Sequence, residues 1–184
     1  SFKDGKLHIG SARIIAASNY CINGCTNPVM SGGVVQPTAI GSQTACYNSS
    51  LQLTGGSIVG LGRGFYSSNY ATMSGGLIAG INEPTNGAAG FTLSGGVIYG
   101  YKDYQGAINI NSHYARLLGG TIVSNANGYL ISGSNYAYIN GTTFHNTATL
   151  ISSDSHGTVI KGMTITGTAG TVFYRTPSAT LYGI

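Results

Sequence analysis

The sequence predicts an all-β protein: a right-handed parallel β-helix of about eight coils of 20–24 residues, folded as a single domain over residues 1–184. Three observations predict this fold. An octet of related sequence recurs along the chain, one apolar residue stays in phase through every copy, and the segments between show the alternation of strands. Repeats of this length are typical of solenoids, in which each unit buries its apolar face against the next.

The octet is clearest in the middle of the chain. Its five close copies are MSGGVVQP from Met30, LTGGSIVG from Leu53, MSGGLIAG from Met73, LSGGVIYG from Leu93 and LLGGTIVS from Leu117. Weaker copies are INGTTFHN from Ile139 and IKGMTITG from Ile160. Each begins with an apolar residue that we expect to point inward. The paired glycines that follow suit a bend where the chain must turn without a Cβ.

The apolar residue five places after each octet's start defines a column. Its members, including a weak N-terminal copy, are Ile14, Val35, Ile58, Ile78, Ile98, Ile122, Phe144 and Ile165. We expect them to point inward on neighbouring coils, ~5 Å apart. A second apolar segment recurs between octets, at Ala107-Ile108, Leu130-Ile131, Leu150-Ile151 and Val172-Phe173. Each coil is therefore expected to contain two or three strands.

Composition and charge exclude two classes of partner. Only 7% of residues are charged, against about 25% in an ordinary domain. The apolar residues come in short groups, with no run of ~18 that could span a bilayer, so membrane insertion is not expected. The net charge is +4, but the basic residues are scattered, whereas a nucleic-acid binder clusters them. We therefore expect no nucleic-acid partner.

A ladder of tyrosines precedes three of the column residues. The segments SNYATM, SHYARL and SNYAYI place Tyr70, Tyr114 and Tyr136 eight residues before their column members. Beside them stand Asn69, His113 and Asn135. One interpretation is a turn whose Asn takes the left-handed conformation and whose Tyr packs on the coil edge. The other is an exposed aromatic and amide surface that binds sugar rings, since Tyr offers large contact area at low entropic cost.

The chain has four carboxylates, and two share a register. Glu83 and Asp103 each follow a column residue by five places, which puts them on adjacent coils ~5 Å apart. That distance matches the ~5–5.5 Å of a retaining glycosidase pair. Arg63 falls in the same register, so the alternative is a surface Arg63–Glu83 ion pair worth under ~1 kcal/mol. We expect no catalysis; if the chain is an enzyme, it is a glycoside hydrolase that uses these two residues.

The cysteines and histidines indicate no metal or cofactor. The histidines lack metal-ligand spacing, and no set of four zinc ligands is visible. Cys25 and Cys46 are 21 residues apart, one coil length, and are expected to stack within disulfide reach, with a Cys21–Cys25 loop as the alternative. The odd count leaves at least one cysteine free or intermolecular in an oxidising setting.

The octets also resemble those of known proteins. FTLSGGVIYG and ATMSGGLIAG resemble the Gly-Gly-x-Ile-x-Gly repeats of right-handed β-helix proteins in large bacterial surface adhesins, and are similar to β-helical stretches of bacteriophage tail fibres and tailspikes. The resemblance covers about residues 28–168. It implies attachment to a cell surface through glycans, and for tailspikes depolymerase activity from paired carboxylates. No family catalytic residue carries over, because no catalytic motif matches.

These expectations combine into one interpretation of function. We expect a non-catalytic β-helix module of a phage tail fibre or spike that binds host cell-surface glycans, located on a virion tail or an extracellular surface. A bacterial adhesin or filament scaffold and a glycan-cleaving tailspike are the alternatives. The chain reaches Ile184 shortly after a new coil begins. We therefore expect a homo-oligomer, a trimer as is common in slender spikes, or a part of a longer fibre.

Overall fold

The computed structural model describes residues 7–17, 19–38, 44–66, 69–80, 83–86, 89–100, 108–109, 113–124, 129–132, 135–146, 149–151, 156–167, 171–173 and 178–182. Strands joined by tight turns are the only regular structure over these ranges. The described part of the chain accordingly contains no helix of the length and hydropathy needed to cross a bilayer.

Over the described residues, twenty-three strands form three rows that run along the axis. The first row contains β1 (His8–Ile9), β4 (Val29–Met30), β7 (Gln52–Leu53), β10 (Thr72–Met73), β13 (Thr92–Leu93), β16 (Arg116–Leu117) and β23 (Thr180–Leu181). The second row contains β2 (Arg13–Ala16), β5 (Val34–Pro37), β8 (Ser57–Gly60), β11 (Leu77–Gly80), β14 (Val97–Gly100) and β17 (Thr121–Ser124). Two long strands span the first and the second row: β19 (Tyr138–Asn146) and β21 (Val159–Thr166). The third row contains β3 (Tyr20–Asn23), β6 (Thr44–Tyr47), β9 (Arg63–Tyr66), β12 (Glu83–Asn86), β15 (Ile108–Asn109), β18 (Tyr129–Ser132), β20 (Thr149–Ile151) and β22 (Thr171–Phe173).

Every strand pairs in parallel with its equivalents on the neighbouring coils. Residue 78, for example, faces residue 58 on one side and residue 98 on the other. The third row includes the second apolar segment noticed in the sequence, for instance Leu130-Ile131 within β18. The prediction of an all-β parallel β-helix is confirmed, with three strands in most described coils and two in the coils where β19 or β21 spans two rows.

The predicted apolar column is confirmed in register from end to end. Its eight members lie opposite one another on successive strands of the second row. The six central members are completely buried, while Ile14 and Ile165 are partly exposed. Phe65 and Phe91 add an edge-to-face contact to the core, with centroids 6.4 Å apart. Burial of one apolar residue per coil in the same place explains why the phase persists although coil length varies.

Each of the two glycines of the octet is required for a different structural reason. The first lies so close to the preceding coil that a Cβ on Gly119 would stand 2.5 Å from the carbonyl oxygen of Ser94. The second takes a left-handed backbone conformation, with φ of +75° at Gly120. Only glycine tolerates both the close contact and the left-handed conformation without strain. The pair therefore sets the bend between the first and second rows.

The cysteine pairing suggested by the sequence is wrong. The local coil is 24 residues long rather than 21, so Cys46 lies opposite Ile22. Cys25 instead donates its backbone N–H to the Ser49 hydroxyl, 3.2 Å away. None of the three cysteines forms a disulfide. Cys25 and Cys46 are buried, and desolvation raises the pKa of the Cys46 thiol well above its ordinary value.

We expect the buried thiol at Cys46 to make stability fall in alkaline solution. Because the folded pKa is raised, the contribution is fully present below the pKa of an unfolded cysteine, about 8.5, and is lost as the pH rises beyond it. Urea unfolding of the wild type and a Cys46→Ala variant between pH 7 and pH 10 measures this. The variant should lose less stability over that range, and equal losses in both proteins would contradict the assignment.

Candidate functional site

Three tyrosines occupy the turn that leads into the first row. Tyr70, Tyr114 and Tyr136 have φ angles of 58°, 62° and 58°, in the left-handed region. Their side chains are 75%, 62% and 57% exposed. The expectation that the neighbouring Asn would take the left-handed conformation is therefore wrong, because Tyr takes it in each case. We call these three residues the turn tyrosines.

The polar residues before the turn tyrosines join one coil to the next. The Asn69 side-chain oxygen accepts a hydrogen bond from the backbone N–H of Ala89 at 3.1 Å. His113 Nδ1 accepts one from the backbone N–H of Asn135 at 3.3 Å. The Asn135 side-chain oxygen accepts one from His156 N–H at 2.9 Å. These side chains therefore connect each turn to the turn of the next coil, a structural role that differs from the left-handed conformation expected from the sequence.

The rings of the turn tyrosines are held by packing along the axis. Tyr114 and Tyr136 stack with centroids 5.3 Å apart and planes inclined by 12°. The next turn in each direction carries glycine: a Cβ on Gly90 would stand 2.7 Å from a ring carbon of Tyr70, and one on Gly157 would stand 2.8 Å from the Tyr136 ring. The rings thus lie on the following coil rather than swinging freely.

A groove of about 310 Å³ opens beside the stacked pair. Its walls are Tyr114, Arg116, Tyr136 and Tyr138. Arg116 and Tyr138 lie opposite each other on the paired strands β16 and β19. Each follows a turn tyrosine by two residues, with a buried alanine between, so the period-two alternation of the strand brings all four side chains to one face. The four residues together form what we call the tyrosine groove.

A second cation continues the groove along the axis. The ammonium group of Lys161 lies 5.8 Å from the centroids of both the Tyr138 and the Tyr182 rings. Lys161 is an extra residue at a bulge, because Ile139 faces Ile160 while Asn140 faces Gly162. The bulge places Lys161 beside the rings, and its side chain is exposed.

Another tyrosine stack lies on the third row. Tyr20 and Tyr47 have ring centroids 4.5 Å apart, and Tyr47 and Tyr66 have centroids 5.5 Å apart. The guanidinium of Arg63 lies 4.7 Å from the Tyr66 centroid. Tyr20 is 36% exposed, while Tyr47 and Tyr66 are half-buried. The stack covers the outside of the third row, away from the tyrosine groove.

The backbone of Glu83 lies opposite Arg63, in the register expected from the sequence. Asp103 lies outside the described residues, as does the Glu83 side chain. The suggested carboxylate pair therefore stays a prediction.

The described histidines serve local contacts. His8 Nε2 lies 3.2 Å from the Ser31 hydroxyl, and His145 Nδ1 lies 3.1 Å from the Thr166 hydroxyl. Over the residues whose positions are described, no three His, Cys, Asp or Glu side chains gather in a way that could hold a metal ion.

Sequence reasoning found the turn tyrosines but missed three other residues of the surface: Arg116, Tyr138 and Lys161. The alternation in HYAR and NYAY was a signal for the first two, since residues on either side of an inward Ala must share the outer face. No comparable signal marked Lys161, whose position depends on the bulge.

Comparison with protein-family models, with curated proteins and with solved structures gives no match to this chain.

Proposed function

We propose that this chain is a non-catalytic β-helix module that binds cell-surface glycans through the turn tyrosines and the tyrosine groove. The observation that carries the proposal is the left-handed conformation of three exposed tyrosines. In a phage tail fibre or spike, or in a bacterial surface adhesin, such a module would serve attachment. The resemblance of the octets to both families supports an extracellular or virion location.

The left-handed backbone conformation of the turn tyrosines has a free-energy cost, which a turn with a purely structural role would avoid by using another residue. A left-handed residue other than glycine costs about 1–2 kcal/mol. The same turn accepts glycine at Gly90 and Gly157 and asparagine at Asn27, all with positive φ. Packing on the next coil offsets part of the cost, yet more than half of each ring stays in water. Strained residues that stay exposed are a reason to infer function.

The arrangement also suits the binding of sugars. Rings held by stacking lose little freedom when a ligand arrives, which favours affinity. The exposed edges of the rings can pack against the C–H groups of a pyranose, while the phenolic hydroxyls can exchange hydrogen bonds with its hydroxyl groups. A groove of this volume matches the lower limit of known ligand sites, ~300 Å³.

The electrostatics near Glu83 disfavour glycan hydrolysis. A retaining mechanism needs one carboxyl protonated while its partner is ionised. The backbone of Arg63 lies opposite that of Glu83, and a nearby guanidinium favours the ionised form of a carboxyl. The whole chain contains only four carboxylates, so a replacement pair is scarce.

Affinity electrophoresis through gels containing bacterial surface polysaccharides tests the proposal. We expect the protein to be retarded by at least one polysaccharide, and the polysaccharide to keep its chain length after prolonged incubation. Release of oligosaccharides that disappears in Glu83→Gln or Asp103→Asn would establish the depolymerase instead. Free migration in every gel would contradict glycan binding.

A further inference from the structure

We infer that the tyrosine groove takes an acidic polysaccharide, whose chain runs parallel to the axis of the β-helix and whose carboxylates meet Arg116 and Lys161. The inference rests on the proposed function and specifies its ligand. It follows from the order in which charged and aromatic side chains occur along the axis, and from the scarcity of acidic residues in the chain.

Cations and aromatic rings alternate on this face. Arg116 lies on β16 and Tyr138 lies opposite it on β19. Lys161 lies on β21, two residues beyond the residue that faces Tyr138, and Tyr182 follows β23. Adjacent coils are ~4.8 Å apart, so the two cations stand on coils about 10 Å apart with an aromatic ring on the coil between them. A linear chain along the axis therefore meets positive charge and aromatic surface in turn.

Charge complementarity favours an acidic chain over a neutral one. Both cations are exposed, and the chain has twice as many Lys and Arg residues as Asp and Glu. A guanidinium can bind a carboxylate through two parallel hydrogen bonds, which gives Arg116 a geometric preference for this group. Lys161 supplies a second, less directional charge.

Single-stranded nucleic acid is the other polymer with negative charge and ring surfaces. Such binders offer ring faces on which successive bases stack. Here Tyr114 and Tyr136 stack on each other, so the faces between them are occupied. Edges and hydroxyls are what this pair presents most openly, and they suit sugar hydroxyls better than bases. The observations therefore favour the polysaccharide.

Quantitative affinity electrophoresis distinguishes these ligands. The acidic probes are polygalacturonate, alginate, hyaluronan and polysialic acid, each also used in carboxyl-reduced form, and dextran, galactan and mannan are the neutral probes. Oligo-dT tests nucleic acid. We expect retention by acidic members of the panel, weakened about tenfold or more by carboxyl reduction and by high salt.

Two charge variants and one control complete the test. Arg116→Gln and Lys161→Gln should each weaken retention by the acidic probe, about tenfold for Arg116, while Arg13→Gln, which removes an exposed arginine from β2, should leave it unchanged. Equal retention by native and carboxyl-reduced polymers, or by neutral probes, would overturn the acidic ligand but leave glycan binding standing. Retention by oligo-dT alone, or by no probe, would overturn both.

Discussion

Replacement of Ile98 by Asp is expected to abolish folding of the chain. Ile98 is completely buried in the middle of the column, between Ile78 and Ile122 on the adjoining coils. An unpaired carboxylate at this place loses its hydration without gaining a partner, at a cost of several kcal/mol. That cost is comparable with the whole stability of a domain, 5–15 kcal/mol. Circular dichroism and urea unfolding should show no cooperative transition.

The neighbouring residue supplies a matched control. Val97 lies on the same strand, is 36% exposed and points to the outer face. Val97→Asp introduces the same charge one residue away and should change the free energy of unfolding by under about 1 kcal/mol. If Ile98→Asp unfolds with the wild-type midpoint, or if both variants fail to fold, the register of the column is not what determines stability.

The largest expected effect on binding comes from removing the stacked rings. Tyr114→Asn combined with Tyr136→Asn should weaken retention by a bound polysaccharide about 30-fold, from about 1 kcal/mol for each ring. Asn is chosen because it tolerates the left-handed conformation that both positions require. The variant should therefore fold and unfold cooperatively. Affinity electrophoresis and urea unfolding of the same samples separate binding from stability.

Tyr20→Ala is the control for the loss of an aromatic ring. Tyr20 belongs to the stack on the third row and lies several coils from the tyrosine groove. Its removal should leave retention unchanged. Wild-type retention by the Tyr114→Asn, Tyr136→Asn variant, or a loss of retention in Tyr20→Ala, would place the binding surface elsewhere.

The fold could be predicted because its main determinants are local and repeated. One inward residue per coil is visible without coordinates from Val35 to Phe144, and a glycine pair precedes it in the five coils from Val35 to Ile122. The length of an individual coil is not visible in the same way. The 24-residue offset puts Cys46 opposite Ile22, whereas a constant coil length had put it opposite Cys25.

The turn was predicted in the right place with the wrong residue in the left-handed conformation. Asn is the residue that local preference favours there. The competing influence is contact between coils: Asn69 and Asn135 use their side chains to bind the next coil, and the ring of Tyr136 packs on Gly157. Contacts between residues about 20 apart outweigh the local preference, and sequence reasoning has no measure of them.

The tyrosine groove could not be predicted in full without the three-dimensional structure. Arg116 and Tyr138 were within reach of the alternation rule once the turn tyrosines were known. The position of Lys161 could not be predicted in this way. It depends on a bulge, and a bulge cannot be located from residues such as Lys-Gly, which occur equally well in regular turns. The candidate surface was therefore half predictable: its aromatic residues follow from the repeat, and its second charge does not.

A crystal structure of the chain with an oligosaccharide prepared from a retained polysaccharide would show whether the tyrosine groove binds an acidic glycan. We expect sugar rings against Tyr114, Tyr136 and Tyr138, with the chain running along the axis and an acidic group within hydrogen-bond distance of Arg116. Sugar bound on the third row, at the stack of Tyr20 and Tyr47 or beside Glu83, would contradict it.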